Sequence, residues 1–113
     1  MRQPNITSPE STSASDPPGL PPLAAEGLRA VFAQHKNIEQ ATLYGSRAKG
    51  NHRPNSDIDL MLTAPKLSWD EFNRIELEID DLLLPWKVDL ALKHQIENPD
   101  LMGHIARVGV RIY

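Results

Sequence analysis

With 113 residues, 40% of them apolar and 24% charged, the chain has the length of one domain and the composition of a globular protein with a modest core. A formal net charge of −3 and a pI near 5.7 lack the basic excess with which small proteins neutralise nucleic-acid phosphates, so direct nucleic-acid binding is not expected. The absence of cysteine excludes disulfide scaffolds, thiolate zinc sites and cysteine nucleophiles. No apolar run nears the roughly 18 residues of a membrane span and the first residues contain no hydrophobic signal core, so a cytoplasmic protein is expected.

Residues Met1 to Pro22 hold six of the ten prolines among serines and threonines, with few large apolar side chains. Such a stretch buries too little surface to offset its ordering entropy, and a disordered tail is expected over 1–22, followed by a single domain over 23–113. From Leu23 to about Lys36, Ala24, Leu28, Val31 and Phe32 recur at helical spacing behind prolines that a helix start tolerates. A short strand follows over Ile38 to Tyr44 and stops at Gly45. The Gly45-Ser46 step, succeeded by Arg47, Ala48 and Lys49, suggests a helical turn whose first N–H groups point outward from the strand's carboxyl end, an arrangement that binds anions.

Gly50 to Asn55 reads as a loop, and Asp57 to Thr63 as a second strand in which Ile58, Leu60 and Leu62 alternate with Asp57, Asp59 and Met61. Pro65 ends it. Ser68 with Glu71 forms a capping-box pattern for a helix from about Trp69 to Leu84, apolar through Phe72, Ile75, Ile79, Leu82 and Leu83 and acidic on its other side. Beyond Pro85, Lys87 to Leu92 reads as a third strand with Asp89 in its middle. A last helix opens at Asn98 or Pro99, closes near Gly109 and leaves a short extension over Val110 to Tyr113. The expected order is helix, strand, strand, helix, strand, helix.

Because strand side chains alternate, Asp57 and Asp59 project from one face with Cα atoms roughly 6.5–7 Å apart. Carboxylates at that separation can flank a pair of Mg²⁺ ions roughly 3.5–4 Å apart, the spacing that clamps attacking and leaving oxygens in phosphoryl chemistry. Mg²⁺ suits hard oxygen ligands completed by substrate phosphates and water. Asp89, facing the same way, would add the third carboxylate as metal ligand, general base or both. Gly45 lets the backbone approach a phosphate closely, Ser46 adds a hydroxyl and a backbone donor, and Arg47 and Lys49 are available to offset polyphosphate charge. A P-loop is excluded because Asn51-His52 stands where Lys-Ser/Thr is required, and an EF-hand because Met61 occupies a ligand position. His35, His52, His94 and His104 share no metal-ligand spacing and read as surface or packing residues.

Gly45-Ser46-Arg47-Ala48-Lys49-Gly50 followed by Ser56-Asp57-Ile58-Asp59-Leu60, with the distant Asp89, resembles the nucleotidyltransferase superfamily related to DNA polymerase β. Within it the pattern is similar to the minimal nucleotidyltransferase (MNT) antitoxins of HEPN/MNT toxin–antitoxin pairs. Lys49 stands where that family usually has arginine before the second glycine. The resemblance implies an α/β fold with a small mixed sheet and helices packed on it. It further implies Mg²⁺, ATP as substrate, and transfer of AMP to a tyrosine of a cognate HEPN ribonuclease toxin. With a single small domain expected and no second domain evident to hold an acceptor, the acceptor is expected on another chain. The alternatives are an antitoxin that neutralises its toxin by binding alone and a nucleotidyltransferase acting on a small-molecule acceptor.

Overall fold

The computed structural model describes residues 16–113. Helix α1 spans Pro22–Ala33, strand β1 Gln40–Tyr44, the short helix α2 Ser46–Lys49 and strand β2 Ile58–Thr63. Helix α3 spans Trp69–Asp80, strand β3 Val88–Leu92, helix α4 Pro99–Val108 after a 3₁₀ turn at Lys93–Gln95, and strand β4 Val110–Arg111. The four strands form one mixed sheet in the order β3-β2-β1-β4. β1 runs antiparallel to β2 and β4, and β3 lies parallel to β2.

Alternation sorts the sheet into two faces. Ala41, Leu43, Ile58, Leu60, Leu62 and Leu92 are buried on one side in a common cluster with Leu28, Val31 and Phe32 of α1 and Phe72, Ile75 and Ile79 of α3. Burying a leucine as fully as Leu28 contributes about 1.5–3 kcal/mol. The opposite face carries Thr42, Tyr44, Asp59, Met61 and Asp89, and α4 lies across its β1 side: the His104 ring meets Tyr44 edge-on at 6.2 Å, and Gly109 leaves no room for a Cβ beside the Thr42 methyl.

Local chemistry explains the element ends. Pro22 sits in the first turn of α1, where its missing N–H costs nothing. The Ser68 hydroxyl accepts the Glu71 N–H at 3.0 Å to start α3, and the Asn98 side chain accepts the N–H groups of Asp100 and Leu101 to start α4. Helix α3 stops at Asp80, short of the expected Leu84. Leu83 turns left-handed, with φ 56°, and Pro85 pushes the residue before it out of helical conformation. The extension expected after Gly109 is instead a fourth strand, paired through Thr42–Arg111 and Leu43–Val110.

Of the tail expected over 1–22, residues 1–15 lie outside the described residues. Asp16 to Pro22 pack onto the domain rather than trailing from it. Leu20 is buried in the core, and Asp16 pairs with Arg29 at 2.6 Å, a contact that holds the Asp16 carboxyl below its ordinary range. Gly19 lies so tightly against the Arg47 backbone that a Cβ there would collide with the Arg47 carbonyl.

Candidate active site

The site forms where β1 gives way to α2. Gly45 has φ 75° and ψ −158°, a conformation that L side chains rarely adopt, and a Cβ at this position would collide with the Asp59 carboxylate. Glycine is therefore needed twice over, for the turn and for the close approach of the second aspartate. In register, Tyr44 stands opposite Asp59 across the β1–β2 pair, and Asp59 stands opposite Asp89 across the parallel β2–β3 pair. Register partners share a face, so Tyr44, Asp59 and Asp89 form a row across the sheet beside Gly45.

Electrostatics bears out their proximity. Burial pushes the Asp59 carboxyl above its ordinary value, and the charges of Asp89 and Asp57 push it further the same way, only partly offset by His104 and Lys87. The Tyr44 phenol is likewise raised, by burial first and then by Asp59 and Asp89. Asp57 precedes β2 and is exposed, while Lys87 reaches Asp89 at 3.6 Å with side chains 70% and 46% exposed. An ion pair so open to solvent contributes little and leaves Asp89 available.

These residues fit a hard divalent cation in the chemistry of their donors: carboxylate oxygens from Asp57, Asp59 and Asp89, in mutual repulsion that a cation would relieve. Among the described residues no three acids or histidines converge closely enough to enclose an ion by themselves. A Mg²⁺ ion held here would need waters and substrate phosphates to complete its shell.

Arg47 is placed otherwise than expected. It is 3% exposed, and its guanidinium donates to four backbone carbonyls: Ser56 at 3.0 Å, Gly19 at 2.9 Å, Pro54 at 3.1 Å and Arg53 at 3.5 Å. Trp86 lies 5.8 Å from it, face on, and donates its own indole N–H to the Pro54 carbonyl at 3.0 Å. Arg47 is thus not available to a nucleotide phosphate; it fastens the 53–56 loop that delivers Asp57. Lys49, exposed before the left-handed Gly50 (φ 90°), keeps its charge in solvent, and Ser46 remains half-buried at the first turn of α2.

His104, expected to be a packing or surface residue, is at the site. Its Nε2 accepts the Gly45 N–H at 3.0 Å. Spacing among histidines could not show this; helical phase offered a partial signal, since His104 falls between Leu101 and Val108 on the sheet-facing stripe of α4. A cavity of about 400 Å³ lined by Asn73, Glu76, Leu77, Ile79, Asp80, Val88 and Leu90 lies on the other face of the sheet, away from Asp59 and Asp89.

The model of the polymerase beta nucleotidyltransferase family matches residues 26–113. The chain belongs to this family. A relative from Methanocaldococcus jannaschii named "putative protein adenylyltransferase" is 32% identical over 81 residues, spanning 64% of this chain and 81% of the relative. Two solved structures share the fold. One is a toxin–antitoxin with AMP-PNP (TM-score 0.63, 19% identity, 79% of this chain and 72% of that one). The other is a tri-AMPylated Shewanella oneidensis HEPN toxin in complex with MNT antitoxin (TM-score 0.58, 16% identity, 80% and 70%). The expected small mixed sheet with packed helices is the fold of this nucleotidyltransferase family. No helix among the described residues is long and apolar enough to cross a membrane.

Proposed function

We propose that this chain is a cytoplasmic antitoxin that transfers AMP from ATP, with Mg²⁺, to a tyrosine of a cognate HEPN ribonuclease toxin. The observation that carries the reading is the pairing of Asp59 with Asp89 in register beside Gly45, which sets two carboxylates next to a backbone turn suited to phosphate. The named relatives point the same way: one is called an adenylyltransferase, and one complex holds an AMPylated HEPN toxin.

In this reading Asp57, Asp59 and Asp89 hold Mg²⁺, which supplies charge neutralisation at the phosphates. Gly45 and Ser46 bind the phosphates through backbone N–H and hydroxyl, and Lys49 offsets their charge. Asp89 takes the proton from the acceptor phenol as its oxygen bonds to the α-phosphorus. The bond from that phosphorus to the bridging oxygen breaks, and pyrophosphate leaves with the bonding pair. Arg47 acts at one remove, holding the loop before Asp57. Residues 23–113 make up the transferase domain, with Asp16 to Pro22 fastened to it by Arg29 and Arg47.

Incubation of the protein with ATP, Mg²⁺ and the HEPN protein from the neighbouring reading frame should give an adenylylated tyrosine by mass spectrometry, and Asp57→Asn should abolish it. Toxin neutralisation that persists in an Asp57→Ala, Asp59→Ala double variant would instead assign the protein to neutralisation by binding. Labelling of small acceptors but not of the toxin would assign it to small-molecule chemistry.

A further inference from the structure

The Gly45 N–H stands at the end of β1, beside the Asp59 carboxylate, and it is already taken. His104 Nε2 accepts it at 3.0 Å, which requires an unprotonated Nε2 and places the ring proton on Nδ1. A backbone N–H makes one strong hydrogen bond, so a phosphate oxygen and this imidazole compete for the same proton. The Tyr44–Gly45 peptide that carries this N–H closes strand β1, where Tyr44 is paired opposite Asp59. The peptide after it is fixed by the α2 turn, its carbonyl accepting the N–H groups of Ala48 and Lys49 at 3.1 and 3.0 Å, so the donor has little freedom to turn elsewhere.

We infer that His104 is a plug: it occupies the phosphate-binding donor of Gly45 and must leave when a nucleotide enters, so that it restrains nucleotide affinity. The inference rests on the phosphate-binding role of Gly45 proposed above. Displacement has a defined path. His104 is half-exposed on α4, and its ring touches Tyr44 only edge-on. The rival role is that of a brace, in which His104 holds Gly45 in the conformation that phosphate needs. A brace and a plug have opposite signs: removing a brace weakens binding and removing a plug tightens it.

Calorimetric titration of the full chain with ATP and Mg²⁺ separates them. His104→Phe keeps an aromatic ring against Tyr44 but has no acceptor, and should bind about two- to tenfold more tightly, the worth of one net hydrogen bond. His104→Gln restores an acceptor at the position of Nε2 and should bind as the wild type does. Inorganic tripolyphosphate should give the same order, because the competition concerns phosphate and not the base. In the wild-type protein, tripolyphosphate should move the ¹⁵N resonances of the His104 Nε2 and the Gly45 amide together, a readout independent of any variant. Equal or weaker binding by His104→Phe, or an Nε2 resonance that stays put while the Gly45 amide shifts, would overturn the plug alone. Failure of all three proteins to bind ATP or tripolyphosphate would overturn the nucleotide site and the plug with it.

Discussion

Arg47 and Asp59 both carry charge into a half-enclosed part of the fold, and the two places handle it in opposite ways. The Arg47 guanidinium meets a fan of backbone carbonyls and the face of Trp86, so its donors are spent inside the protein. Asp59 meets two more carboxylates, and the fold leaves that repulsion standing. A buried cation surrounded by acceptors is a structural joint. An aspartate raised above its ordinary range by burial and by the acids beside it marks an incomplete site, finished only when a cation and a substrate arrive. Gly45 lies between the two regions and belongs to both, which is why the motif reads as one unit in sequence although half of it is scaffold.

The sharpest way to break this contrast is to neutralise one member of the acidic row. Asp89→Asn should lower transfer on the order of 10²–10⁴-fold in kcat/KM, the usual contribution of a general base. Asp59→Asn should abolish Mg²⁺-dependent binding of ATP and yet leave the thermal midpoint unchanged or higher, since the ionised Asp59 is disfavoured in the fold. A large fall in thermal midpoint would mean that the acids are structural after all.

Next in size comes Arg47. Arg47→Ala should cost about 2–4 kcal/mol in denaturant unfolding, because the buried Gly19 carbonyl and the part-buried contacts to Pro54 and Ser56 lose their donor. Arg47→Lys should recover little of it, since one ammonium cannot span the fork. A neutral Arg47→Ala would dissolve the distinction between joint and site.

A third charged cluster tests whether compensation is what separates the two. His35, buried between α1 and α3, bonds Glu71 at 3.0 Å and Glu78 at 2.8 Å. Burial alone would lower the imidazole, but the hydrogen bonds and charges of Glu78 and Glu71 outweigh it and raise the group above 6.5. Because the folded value exceeds the unfolded one, the stabilisation is complete below pH 6.5 and is lost as pH rises through the folded value. The thermal midpoint should therefore decline over that window, and His35→Phe should flatten the decline.

The smallest effect should come from Lys87. Lys87→Ala should shift stability by no more than about 0.5 kcal/mol, as for any open ion pair. A larger loss would make Asp89 chiefly the partner of that lysine.

Much of this was legible in the chain, for identifiable reasons. The alternation from Ile58 to Leu62 and from Val88 to Leu92 reports one buried face, and thereby puts Asp59 and Asp89 on the other. Ser68 and Asn98 announce their helices through side-chain oxygens that act within three residues. What local pattern could not carry is register and burial of charge. Nothing near Asp89 says that it pairs with Asp59 and not with Met61, because that choice is made by the β2–β3 crossover through α3. Arg47 looks like a phosphate ligand because it follows Gly45-Ser46, yet its acceptors come from Gly19 and the 53–56 loop. His104 reaches Gly45 across 59 residues, a distance no motif spans.

The claim that Asp59 and Asp89 form one uncompensated site is tested most directly by following the Asp59 carboxyl carbon by NMR as a function of pH. The account predicts a titration above the ordinary 3.8, brought down by Asp89→Asn and, separately, by Mg²⁺ with ATP. An Asp59 that titrates at its ordinary value and responds to neither would contradict it.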